Sequence, residues 1–308
     1  MKSFSDICRM TQNELKGYLT QYLKSKKYEP VLGDGYVYAE GELPVLLVAH
    51  LDTVHKQQCT EIINIDGNMS AREGIGGDDR CGVYIIMNLI NTLRCSVLFC
   101  EDEEIGCVGA KKFANSILIK ELDVNYIIEF DRKGNNDAVF YSCDNPDFEE
   151  FILEHTGFKT AWGSFSDISI LAPKAKIAAV NLSSGYYNAH TTSEYVNYAD
   201  MVNTIEVAKR LITAECDEPF EYIERKQVSW YDSDFDIHDY YNKHYYGCQT
   251  TKTKKPSFEL EMEVVYMDKN EIEQVGYITG NSKLECWATF FLEYSDVCFD
   301  DIVDYSFI

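Results

Sequence analysis

The sequence predicts an α/β three-layer sandwich with a mostly parallel central sheet, followed by a small β-rich C-terminal module. Three observations carry this expectation. Short apolar runs without alternation, at residues 45–49 and 96–100, read as strands covered on both faces. Amphipathic stretches separate such runs, so strand and helix alternate through about residue 215. Beyond that point the chain turns acidic and tyrosine-rich, and its apolar residues alternate with polar ones.

The elements follow in order. Thr11 and Glu14 form a capping-box signature. Leu15, Tyr18, Leu19, Tyr22 and Leu23 then recur at helical spacing, so a helix is expected to about Lys26. Gly33-Asp34-Gly35 marks a turn between two short extended segments. Residues 44–54 (PVLLVAHLDTV) begin as a buried strand, residues 81–93 read as a helix, and residues 96–100 (SVLFC) as a second buried strand. A helix start is expected at 108–114, a third strand at 124–130 (VNYIIEF) and a fourth at 177–182. The last helix, 198–215, carries Met201, Ile205, Val207, Ala208 and Ile212 on its apolar face. Residues 258–267 and 284–294 alternate as half-buried strands do, while 222–246 (acidic and aromatic) receives no assignment. The expected domains are 1–216 and 217–308; the second carries 20 acidic and 8 basic residues.

Composition narrows the function. The net charge of -23 argues against nucleic acid and against anionic membrane as partners. Hydrophobic residues make up 45% of the 308, enough for a full core. The 11 cysteines are odd in number and form no CxxC pair, and the N-terminal segment lacks an apolar signal core. With no apolar run of about 18 residues, a reduced, cytoplasmic location is expected.

Five polar groups stand just after buried strands or at the start of the next element, the edge where open α/β sheets bind ligands. They are His50-Leu51-Asp52, the glycine-rich turn Gly76-Gly77-Asp78-Asp79, Glu101-Asp102-Glu103-Glu104, Glu129-Phe130-Asp131, and His190 in Ala189-His190-Thr191-Thr192-Ser193-Glu194. Each alone has an ordinary reading: a surface His–x–Asp, an acidic helix cap, a solvated acidic loop. Together, two of the six histidines and three carboxylates give nitrogen and oxygen ligands suited to zinc. A carboxylate shared between two ions would hold them about 3.5–4 Å apart. His155, His238 and His244 have no such setting, and His55 is read as ordinary.

These segments, VAHLDTV, GGDDRCG, EDEEIG, EFD and AHTTSE, resemble in content and order the co-catalytic zinc exopeptidases: aminopeptidases, and related carboxypeptidases, tripeptidases and acylamino-acid deacylases. The resemblance covers about residues 10–215. It implies that His50 and Asp131 bind one metal ion, that Glu104 and His190 bind the other, and that Asp78 bridges both. It implies further that Glu103 is the general base and acid, that Asp52 orients His50, and that the Asp78–Asp79 peptide is unusual, with cis as the candidate geometry. The cofactor would be two divalent ions, zinc with cobalt or manganese as substitutes. Residues 132–189 leave little room for the dimerisation lid of the carboxypeptidase branch, and 51–77 only for a hairpin, so the core is expected to be lid-less. Asp102 competes with its neighbours for a role. The function expected is an aminopeptidase-like exopeptidase acting on peptides. The alternatives are a dipeptidase or a deacylase of N-acyl amino acids, signalled by Arg80 or Arg132 facing inward, and, more remotely, an inactive binding module. A homo-oligomer stays open.

Overall fold

The computed structural model describes residues 1–225, 260–267, 273–280 and 302–307. The chain divides into two compact units, Met1–Val228 and Ser229–Ile308.

The strands of the first unit are β1 (Val31–Gly33), β2 (Tyr36–Ala39), β3 (Leu43–His50), β4 (Ile62–Ile65), β5 (Asn68–Ala71), β6 (Cys95–Cys100), β7 (Tyr126–Arg132), β8 (Asp137–Val139), β9 (Lys159–Thr160), β10 (Ala179–Ser183), β11 (Tyr186–Tyr187) and β12 (Tyr195–Asn197). Its α-helices are α1 (Phe4–Cys8), α2 (Gln12–Ser25), α3 (Gly77–Leu89), α4 (Val108–Ala114), α5 (Pro146–Thr156), α6 (Asp167–Ala175) and α7 (Tyr198–Ile212). An eight-stranded sheet runs β1-β2-β6-β3-β7-β10-β8-β9. Its four middle strands, β6, β3, β7 and β10, are parallel to their neighbours within the set, whereas the β1–β2, β2–β6 and β8–β10 pairs are antiparallel.

The apolar run of β3 explains the layering. Val45, Leu47 and Ala49 enter a core shared with α1, α2, α3, α5 and α7; Leu46 and Val48 enter a second core shared with α4 and α6. A strand buried on both faces has no polar positions to alternate with. The expected α/β three-layer sandwich is thus present. All the expected strands of this unit are found within a few residues, and Thr11 caps α2 in a full capping box with Glu14. The helix expected at 81–93 is α3; Asp78 (φ -84°, ψ 105°) and Asp79 (φ -115°, ψ 44°) near its start are not helical, so its regular turns begin after them, close to the expected position.

A second, four-stranded sheet, β11-β12-β5-β4, lies within the same unit. Its β4–β5 hairpin turns at Asp66-Gly67, both with positive φ (51° and 86°), as the strand twist favours in tight hairpins. Residues 132–189 are taken up by β8, α5, β9, α6, β10 and β11, so the unit is lid-less. The sequence reading ended the first domain at 216; the compact unit continues to Val228. Phe220 packs with Tyr126, Phe148 and Phe151, and Glu221 and Glu224 bridge to Ile177 and Cys143.

In the second unit, β13 (Leu260–Met267) pairs antiparallel with β14 (Glu273–Gly280) and with β15 (Ile302–Phe307). The strand expected at 258–267 is therefore present; that at 284–294 lies outside the described residues, as does most of 222–246. Among the described residues no helix is long and apolar enough to cross a membrane. The eight cysteines among them are free.

Candidate metal centre and active site

Parallel strands bring their carboxyl ends to one edge of the sheet, and the candidate residues gather there. His50 ends β3, the loop 101–107 follows β6, and Asp131 lies near the end of β7. Asp78 enters from the first turn of α3, and His190 from the loop between β11 and β12. The Asp78–Asp79 peptide is cis.

Asp78 stands between the two histidines. Its Oδ1 lies 3.0 Å from His50 Nε2 and its Oδ2 3.2 Å from His190 Nε2. His50 Nε2 also lies 3.6 Å from Asp131 Oδ1, and His190 Nε2 3.2 Å from Glu104 Oε2. The result is two histidine–carboxylate pairs, His50 with Asp131 and His190 with Glu104, with the Asp78 carboxylate between them. Asp52 takes His50 Nδ1 at 3.2 Å and also accepts the backbone N–H groups of Glu103 (2.9 Å) and Glu104 (3.0 Å). One side chain thus orients the β3 histidine and pins the acidic loop. Asp102 turns away, its carboxylate bonded to Gln12 Nε2 at 2.9 Å, and Glu101 pairs with Lys16 at 2.5 Å. Asp102 is thereby placed outside the cluster.

The electrostatics are those of crowded acids. Burial and the neighbouring Asp78 push Asp131 well above the usual carboxylate range. Burial and Asp131 do the same to Asp79, and burial with Asp131 and Asp167 to Glu129. Burial opposes the charge on Asp78, yet contact with His190 and His50 holds its carboxyl low. His190 is raised to about 10 by Asp78 and Glu104, and His50 is held high by Asp131, Asp52 and Asp78 against the cost of its burial. Burial lifts Glu103 to about 7.

The donors fit a divalent cation. Three groups of closely spaced ligand atoms occur among the described residues: His50 with Asp79 and Asp131, His50 with Glu103 and Glu104, and Asp78 with Glu104 and His190. Glu104 Oε1 is buried without a hydrogen-bond partner, a cost that a cation would remove. Nitrogen and carboxylate donors suit zinc.

Several residues around this centre escaped the sequence reading. Asp79 accepts the His50 backbone N–H at 3.2 Å and that of Gly82 at 2.8 Å, fixing strand end to helix start. Ser166, beside α6, donates to Glu129 Oε2 at 2.5 Å and approaches Asp131 Oδ2 at 3.1 Å, while Tyr186 meets Asp131 Oδ1 at 3.2 Å. Asp167 is fully buried beside the cluster and is raised to about 6 by its burial. His55 is no bystander: its Nε2 lies 2.7 Å from Glu194 Oε2. Ser166, Asp167 and Tyr186 carry no local sequence signal, because only the tertiary fold brings them to the centre. In the pairs Glu129–Asp131 and Asp78–Asp79 the spacing alone does not say which member turns inward; the resemblance singles out Asp131 and Asp78.

Arg80 and Arg132 do not face inward as free cations. Arg80 is buried, with its guanidinium bonded to the carbonyls of Leu51 and Met10. Arg132 pairs with Asp137 through Nε and Nη2.

Comparison with known proteins places this geometry. Residues 37–199 match the model of peptidase family M28. No curated protein matched the chain. Among solved structures, the Bacillus cereus aminopeptidase PepT is 14% identical, with a TM-score of 0.58 over 68% of this chain and 96% of that one. A Staphylococcus aureus tripeptidase is 14% identical, with a TM-score of 0.56 over 68% and 95% of the two chains. An aminopeptidase from Desulfurococcus kamchatkensis is 14% identical, with a TM-score of 0.53 over 68% and 94%. At such identity the structural likeness speaks for the fold, while the family match spans more than half of the sequence and includes every residue of the cluster. The chain therefore belongs to peptidase family M28 and is a zinc-dependent peptidase.

Proposed function

We propose that the protein is an aminopeptidase-type exopeptidase working with two divalent metal ions, zinc with cobalt or manganese as substitutes. His50 and Asp131 would hold one ion, Glu104 and His190 the other, and Asp78 would bridge them. The observation that carries the reading is the split of the Asp78 carboxylate, one oxygen toward each histidine at 3.0 and 3.2 Å. When bound, the pair of ions would acidify water and polarise the scissile carbonyl.

The side chains supply the rest. Glu103 is the acid–base group: it takes a proton from the attacking water at a carboxylate oxygen and returns it to the nitrogen of the leaving amine. Its neighbour Glu104 is turned to His190, so the adjacent acids divide the work. Asp52 holds both halves of this arrangement through His50 and the 103–104 backbone.

The choice of aminopeptidase over dipeptidase or N-acyl-amino-acid deacylase rests on the arginines. Those alternatives need a cation for the substrate carboxylate, and both candidate guanidiniums are engaged elsewhere. A free substrate N-terminus could instead bind the second ion through its nitrogen, which would give aminopeptidase specificity.

The test is elemental analysis of metal-loaded protein together with a substrate panel. Two ions per chain and cleavage of free-amine peptides, but not of their N-acetylated forms, are expected. Preference for the acetylated forms would overturn the aminopeptidase reading, and a folded protein that binds no second ion the di-metal one.

A further inference from the structure

We infer that Glu194, propped by His55, is a positioning residue that sets the spacing of His190 and Asp78, and so the affinity of the second metal half-site. The inference rests on the di-metal reading above.

Glu194 belongs to the segment that carries His190, yet its carboxylate serves another segment. The side chain is fully buried. Oε1 accepts the backbone N–H of Asp78 at 3.0 Å, and Oε2 accepts that of Gly76 at 2.9 Å. His55 Nε2 approaches Oε2 at 2.7 Å. A buried carboxylate is tolerated only when donors satisfy it, and here two of its donors are backbone groups of the turn that presents Asp78.

That turn is built on glycines. Gly74 and Gly76 take left-handed φ of 92° and 66°. A Cβ at Gly74 would overlap the His55 ring, and one at Gly77 would come within 2.6 Å of Val196 and 3.3 Å of Glu194 Oε1. The turn is therefore pressed directly against His55 and the Glu194 segment. Pairing of β12 with β5 already joins the two stretches of chain, and Glu194 finishes the join at the metal end.

His190 needs such help. Its backbone sits at φ 64°, and its side chain is 54% exposed. Its segment is closed by a short turn in which the Glu194 N–H donates to the Thr191 carbonyl at 3.2 Å. The 3.2 Å spacing of His190 Nε2 and Asp78 Oδ2 thus depends on how the 191–194 turn meets the 74–78 turn, and Glu194 makes the hydrogen bonds between them.

The experiment is titration of the full-length apoprotein with cobalt and with zinc, resolving the two binding steps by calorimetry and by cobalt absorption. Glu194→Gln keeps the shape but leaves one acceptor oxygen for two N–H groups. The weaker step should lose about 10–100-fold in affinity, the range seen when groups behind a metal ligand are removed; the tighter step, which shares Asp78 but is held by the buried His50, should lose clearly less, and the apoprotein melting temperature should hold. His55→Ala, which keeps both backbone bonds, should give a smaller loss, again larger at the weaker step. It carries the test if Glu194→Gln does not fold. Wild-type affinity at both steps, or an equal loss at both, overturns the inference. A wild-type protein that takes up only one ion removes the di-metal reading itself, and this inference with it.

Discussion

His50 and His190 face the same carboxylate from opposite kinds of support. His50 ends a buried strand; its side chain is 1% exposed, its N–H is held by Asp79 and its Nδ1 by Asp52. His190 sits in a loop between two short strands, its side chain is 54% exposed, and no side chain props Nδ1 among the described residues. A strand end in an eight-stranded sheet is positioned by the whole ladder, whereas a loop residue is positioned by the few contacts of its own turn. The two half-sites should therefore differ in affinity, the His50 side being the tighter.

The largest effect should come from the group that belongs to neither half. Glu103→Gln is expected to lower turnover by about 10²–10⁴-fold, the contribution of a positioned acid–base group. Metal stoichiometry should stay at the wild-type value, since Glu104 is the acid facing His190. Steady-state kinetics and elemental analysis on one preparation check this. Full activity in the variant would mean that the acid–base group has been misassigned.

Next in size is the support behind His50. Asp52→Asn replaces a carboxylate that serves one imidazole and two backbone N–H groups with a side chain bearing a single acceptor. A loss of about 10–100-fold is expected at the tighter metal step, the mirror of the Glu194 effect. If Asp52→Asn instead weakened only the looser step, the contrast between the halves would be reversed.

The contrast also explains what could be read from the sequence. His50 and the 101–104 acids directly end or follow apolar runs, and Asp131 closes one interrupted only by Glu129; a polar residue that ends a buried strand is readily noticed. Asp78 was marked by its glycines, and His190 by its place before the last helix. Glu194, Ser166 and Asp167 act only through contacts made across the fold, as with Ser166 Oγ on Glu129, 37 residues away. Helix α6 was missed because Pro173 lies inside it, and α5 because its Asn145 cap and Gly157 stop enclose one apolar face too short to stand out. The small second sheet was legible only as a hairpin, since β11 and β12 are two and three residues long.

A smaller effect tests how the acidic loop is held from behind. Lys16 of α2 pairs with Glu101 at 2.5 Å, the lysine half-buried, and Gln12 brackets Asp102. Lys16→Met should slow turnover about fivefold, equivalent to ~1 kcal/mol for a partly exposed pair. Both metal affinities should hold, because Asp52 still pins the loop. A larger loss confined to metal binding would show that α2, and not Asp52, sets the loop.

The smallest expected effect concerns the two units. Every residue of the proposed centre precedes residue 195, and the compact first unit ends at Val228. A chain stopped after Val228 should bind metal as the full-length protein does. A chain stopped after Cys216 should not be equivalent, although it also keeps every proposed ligand. It loses Phe220, whose ring lies 5.2 Å from Phe148 and 5.2 Å from Phe151, centroid to centroid. Each such aromatic pair adds about 0.5–1.5 kcal/mol beyond the area it buries. It also loses the Ile177–Glu221 and Cys143–Glu224 bridges along the sheet. The shorter chain should therefore melt several degrees lower, and the difference should appear in the apoproteins, before any metal is added. Equal melting temperatures would put the boundary back at 216; loss of metal binding in a folded 1–228 chain would mean that the second unit supports the centre.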